Sequence, residues 1–199
     1  MKLHGPVRLH KVLRRIISIL LENESGALSR VAALFSARGY NIESLTVAPT
    51  DDDTLSRMTI VTVGSEHIIE QITKQLNKLI DVVEASDISE KNTVWRELAL
   101  IKVSCKPSQR VEILELSKIF RVNVVDVGIN NMTFEIAGGK SKIDSFVELL
   151  DQFGVLEIMR TGRIATLRGT TKVGLEDGEF SVTNQSNIYI SDENESGSV

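Results

Sequence analysis

The order of residues 16–41 constrains this chain more than any other feature. Ile16–Leu21 is a nearly continuous Ile- and Leu-rich run, the pattern of a buried strand. At Glu22-Asn23-Glu24-Ser25-Gly26 the chain turns polar. From Ala27 the apolar residues recur as Leu28, Val31, Ala32 and Phe35, the spacing of one helix face. Gly39 follows, where a left-handed residue can stop a helix. The polar loop therefore joins the end of a strand to the start of a helix. The first N–H groups of that helix, near Gly26, Ala27 and Leu28, have no carbonyl one turn back and carry the positive end of the helix dipole. Such a place holds a small anion, for example a carboxylate, and a residue without a Cβ lets the ligand approach the backbone. The competing reading is plain: Asn23 and Ser25 are ordinary cap residues, and Gly26 is a turn residue.

The rest of the chain narrows the options. At 199 residues there is room for one average domain or two small ones. An apolar fraction of 42% and a charged fraction of 25% are those of a globular protein in water. A net charge of -4 argues against a nucleic-acid partner. The one cysteine, Cys105, has no partner for an internal disulfide, which fits a reducing compartment and a small core residue. No apolar run reaches the ~18 residues of a membrane span, and the basic start MKLHGPVRLHKVLRR lacks the apolar core of a signal peptide. The expectation is a cytoplasmic protein with no membrane partner, with residues 1–13 as a flexible arm.

Beyond the first helix, Asn41–Pro49 reads as a strand and 49–54 (PTDDDT) as a solvated hairpin loop. The alternative of a hard-cation site lacks the spacing of a calcium loop. Leu55–Val63 is apolar on both faces, as a central strand covered on both sides would be. Ser65 opens a helix with Ile68, Ile69, Ile72, Leu76 and Leu79, and Ile80–Ile88 is a strand. After a polar break at Asp87–Thr93 the order repeats. A strand over Leu98–Val103 leads to a helix after Pro107 with Val111, Leu114 and Ile119 or Phe120. Strands at Val122–Val127 and Met132–Ala137 flank an Asn130-Asn131 turn. A helix follows with a capping-box-like Ser141/Asp144 and a face of Ile143, Phe146, Val147 and Leu150, and then a last strand over Val155–Leu167. Both halves are β-α-β-β-α-β. The fold expected is α+β, two ferredoxin-like domains in tandem, at 14–88 and 94–168. Units of this size bury little surface alone, so their open sheet faces and edges call for pairing between domains or subunits. Residues 174–199 hold six acidic residues and no Lys or Arg, the composition of a flexible acidic tail.

The runs NESGALSR (23–30), RGYNIESLTV (38–47) and TLSRMTI (54–60) closely resemble the ACT domain of the regulatory (small) subunit of acetolactate synthase, also called acetohydroxyacid synthase. Similarity continues more weakly through VWRELALIKV (94–103), IFRVNVVDV (119–127), FEIAG (134–138) and RTG (160–162), so that it covers about residues 14–170. The first dozen residues and the acidic tail depart from the usual short form. The resemblance implies a first domain that is an ACT domain and a chain with no catalytic site and no cofactor of its own. It implies a catalytic large subunit as partner, carrying thiamine diphosphate, Mg²⁺ and FAD, which this chain activates and makes sensitive to valine. It also implies a homodimer through the ACT domains, with valine at the dimer interface. The effector residues it points to are Asn23, Ser25, Gly26, Ala27 and Leu28, with Asn41 and Ile42 from the facing subunit.

The two lines of reading meet at the loop. A helix start suits valine's carboxylate, the amide oxygens of Asn23 and Asn41 can accept from its ammonium, and Leu28 and Ile42 can line its side chain. Relative to alanine, the two extra buried carbons of valine are worth about 1.6 kcal/mol, or about 10- to 20-fold in affinity. No competing chemistry emerges. His4, His10 and His67 show no metal-ligand spacing, and there is no nucleophile elbow, phosphate loop or dinucleotide fingerprint. Glu22 and Glu24 decorate a helix start, where negative charge is favoured. The alternative kept open is a stand-alone ACT-type amino-acid sensor acting on another enzyme or on transcription.

Overall fold

The computed structural model describes residues 13–169, so the acidic tail and all of the N-terminal arm but Leu13 lie outside the described residues. The first half runs β1 (Leu13–Glu22), α1 (Ala27–Ala37), β2 (Ile42–Pro49), β3 (Leu55–Gly64), α2 (Glu66–Leu76) and β4 (Val82–Asp87). The second half runs β5 (Thr93–Ser104), α3 (Arg110–Phe120), β6 (Asn123–Val127), β7 (Asn131–Gly138), α4 (Lys140–Asp151), β8 (Val155–Arg160) and β9 (Ile164–Leu167). The sheets order as β2-β3-β1-β4 and β6-β7-β5-β8, with every pairing antiparallel. Equivalent strands hold equivalent places, so both halves are ferredoxin-like.

Period-two alternation sets each core. On β1 the odd positions Ile17, Ile19 and Leu21 meet Met58 and Ile60 of β3 under the helices. Above them, α1 contributes Ala27, Val31 and Phe35, and α2 contributes Ile69, Ile72 and Leu76. The helical face differs by one row from the expected one. Leu28 is 43% exposed and Ala32 is also exposed, because the buried stripe runs through Ala27, Val31, Leu34 and Phe35. In the second half Ala99, Ile101 and Val103 of β5 and Phe134 of β7 pack beneath Ile113, Phe146 and Leu150 of the helices, with Cys105 fully buried.

The halves meet on the face of the first sheet that carries no helix. Ile16 and Val61 pack there against Ile88, Leu167, Trp95 and Ala165. This seam changes the last expected strand. Residues 155–167 do not form one strand, because Gly162 adopts φ +79 and turns the chain. The turn is fixed by Thr161, whose N–H donates to Leu98 O and whose Oγ1 accepts from Leu98 N–H, each at 3.1 Å. β8 pairs with Ala99–Val103 and β9 with Thr93–Arg96. Partners from β9 are also why β5 starts at Thr93 rather than Leu98. At α4 the cap is Gly139, so Ser141 lies inside the helix, and Asp144 instead accepts from Lys140 and Arg160 at 2.7 Å.

Candidate functional site

The loop after β1 is built by hydrogen bonds to distant segments. Asn23 N–H donates to Thr54 O at 2.7 Å, and its side-chain Nδ2 donates to Asp53 O at 2.9 Å. Its Oδ1 accepts from Ser56 Oγ at 3.1 Å. Asn23 thus pins the loop to the β2–β3 hairpin, and one acceptor site on its Oδ1 is already used. Asp52 closes that hairpin on itself by accepting from Thr54 N–H and Oγ1, and these bonds hold its carboxyl below the usual range.

Gly26 is the cap residue of α1 and sits at φ +91, a left-handed conformation that favours glycine. Among the described residues no side chain caps this helix. Ala27 N–H reaches Glu24 O at 3.3 Å, and the first full helical turn closes only at Arg30 N–H to Gly26 O, 2.9 Å. The helix start thus offers amide donors at an exposed loop, as its sequence implied.

Arg30 is a functional candidate that the reading of the sequence missed. One turn after Gly26, its Nη1 stands 3.0 Å from where a Cβ on Gly26 would lie. Its Nε and Nη2 pair with the buried carboxylate of Asp81. The Arg30 hydrogen bonds hold the Asp81 carboxyl below its ordinary range. The loop therefore presents a guanidinium edge beside the amides, both suited to a carboxylate. The i, i+4 spacing of Gly26 and Arg30 was the available signal.

Asn41 and Ile42 stand elsewhere. Ile42 pairs with Thr62, which pairs with Arg15, whereas Glu22 at the loop lies seven residues further along β1. At about 3.3 Å per residue that is about 23 Å. Asn41 O accepts from Thr62 Oγ1 at 2.6 Å, and the Asn41 side of β2 is an edge of the sheet. Within one chain the seven candidate residues therefore form two separate groups, Asn23–Leu28 and Asn41–Ile42. Among the described residues no three metal-ligating side chains converge, and no helix is long and apolar enough to cross a membrane.

Comparison with known proteins decides the family. Residues 17–84 match the AHAS small subunit-like ACT domain, and residues 96–169 match the family described as small subunit of acetolactate synthase. The chain belongs to the acetolactate synthase small-subunit family. It is 51% identical over 162 residues to the acetolactate synthase small subunit of Haemophilus influenzae, covering 81% of this chain and 99% of that one. It is 48% identical over 160 residues to a probable acetolactate synthase small subunit of Archaeoglobus fulgidus, covering 80% of this chain and all of the relative. The crystal structure of the small subunit from Thermotoga maritima superposes with a TM-score of 0.74 at 40% identity, covering 80% of this chain and 99% of that one. The loop at Asn23–Leu28 and the strand start at Asn41–Ile42 both lie within the ACT domain of the family.

Proposed function

We propose that this chain is the non-catalytic regulatory subunit of acetolactate synthase, active in the cytoplasm in branched-chain amino-acid synthesis. It activates a catalytic large subunit and makes that enzyme sensitive to valine. Thiamine diphosphate, Mg²⁺ and FAD belong to the large subunit. The observation that carries the reading is the separation of the two candidate groups in a chain of this family. A loop that opens a helix at a glycine cap sits at one end of the sheet, and Asn41 and Ile42 sit at the start of an edge strand at the other. A homodimer through the ACT domains sets the loop of one copy opposite the strand of the other, and valine bridges them. Its carboxylate takes the amides of Gly26 and Leu28 and the Arg30 guanidinium. Its ammonium donates to the Asn41 side chain of the second copy. Leu28, exposed in the single chain, and Ile42 enclose the isopropyl group. Coupling of about 1–3 kcal/mol between valine and turnover is enough for feedback control.

The test is reconstitution with the cognate large subunit. Acetolactate formation should rise on adding this chain and fall again with valine. A rate indifferent to the chain would overturn the reading.

A further inference from the structure

A second polar site lies between the two domains, at a distance from the Gly26 loop. A cavity of about 120 Å³ opens there, and four cations from four segments border it: Arg14 of β1, Lys140 of α4, Arg160 of β8 and Arg163 of the turn before β9. Two carboxylates border it as well, Glu43 and the nearly buried Glu97. Their pairings leave donors over. Arg14 uses Nε and Nη2 on Glu43. Arg160 spends Nη2 on Asp144, and its Nη1 stands 3.6 Å from Glu97. Lys140 pairs with Asp144. Among the described residues Arg163 has no acidic partner, and its guanidinium lies 4.3 Å from the centre of the Trp95 ring. Lys140 also opens a 12-residue helix that no side chain among the described residues caps, so the positive end of that dipole borders the same hollow.

We propose that this cavity is a binding site for a phosphate-sized oxyanion that bridges the ACT domain and the second domain. Charge selects the sign of the ligand: four cations face three carboxylates, Glu43, Glu97 and the Asp144 shared by Lys140 and Arg160, so a positive charge is left over. At about 120 Å³ the hollow has room for a tetrahedral oxyanion. Charge-assisted hydrogen bonds to the free edges of Arg14, Arg160 and Arg163 hold the anion. Since the ligand touches both domains, its binding stabilises their packing by mass action.

Trp95, the only tryptophan of the chain, reports on the site directly. The full chain is titrated with inorganic phosphate, and separately with glycerol phosphate, at constant ionic strength, following tryptophan emission and the thermal midpoint. Phosphate should give a saturable emission change and raise the midpoint above a chloride control. Saturation by both compounds would mean that the site takes a phosphate group on a small carrier, and saturation by phosphate alone that it takes the free ion. Arg163→Gln and Lys140→Gln should each weaken the response about tenfold or more, while leaving the chloride midpoint and the valine response unchanged. A change that rises linearly with either salt, or that both variants show with the affinity of the unmodified chain, would overturn the proposal. A variant that loses its chloride midpoint is replaced by Arg163→Lys, which keeps the charge and should keep saturable binding.

Discussion

Gly162→Ala tests how the two domains are joined. Gly162 sits at φ +79, and a Cβ there would fall 2.9 Å from Ser44 Cβ and 3.3 Å from Thr46 Oγ1. A left-handed alanine costs about 1–2 kcal/mol. Carbon atoms pack at about 3.5–4.0 Å, so the turn must withdraw from β2. That withdrawal breaks the 2.8 Å bond from Thr46 Oγ1 to Thr161 O, worth about 0.5–1.5 kcal/mol. The total is about 1.5–3.5 kcal/mol. Gly39→Ala is the internal control: its φ is +67 and a Cβ there meets nothing within 4 Å. Both variants share the backbone penalty and the stiffening of the unfolded chain, so their difference isolates the contact with β2. In urea unfolding Gly162→Ala should have a midpoint about 0.5 M below that of Gly39→Ala, at an unchanged slope. Equal midpoints would refute the claim that Gly162 is required by close approach rather than by conformation alone.

Three further outcomes follow from the same geometry. Gly26→Asp places a carboxylate beside Arg30, in the seat assigned to the ligand's own; valine inhibition of the reconstituted enzyme should disappear while activation persists. The native Asp81 carboxyl, held low by Arg30, binds fewer protons than the unfolded one, so its contribution is full above about pH 4 and is lost as pH falls through the native value. Urea midpoints from pH 6 to 3 should therefore fall less steeply for Asp81→Asn, and parallel curves would contradict that. Phe146, fully buried with its ring centre 5.7 Å from that of Phe134 and 5.2 Å from that of Phe120, should cost about 3–5 kcal/mol on change to alanine, measured by the same unfolding.

Much of the fold was legible because both cores rest on local periodicity. The β1 run and the stripe through Val31 and Phe35 need no distant information. The break at Gly162 was not legible, since β8 and β9 are both apolar and only the pairing of β9 with Thr93–Arg96 separates them. The candidate loop was legible in type, as an unfilled helix start with a glycine. The role of Asn23 was not, since its side-chain partners Asp53 and Ser56 arrive from a hairpin thirty residues away. Arg30 could have been found from its spacing to Gly26. The exposure of Leu28 required the true helix phase, which Ala27, Val31 and Leu34 set.

The most direct test of a divided effector site is valine calorimetry on mixed dimers of Gly26→Asp and Asn41→Ala chains. The valine concentration is chosen to saturate the unmodified protein and neither variant. After random re-association each mixed dimer holds one intact site, formed by the loop of the Asn41→Ala chain and the strand of the Gly26→Asp chain. The account predicts about one valine site for every four chains, with the affinity of the unmodified protein. Restoration of no binding at all would contradict it.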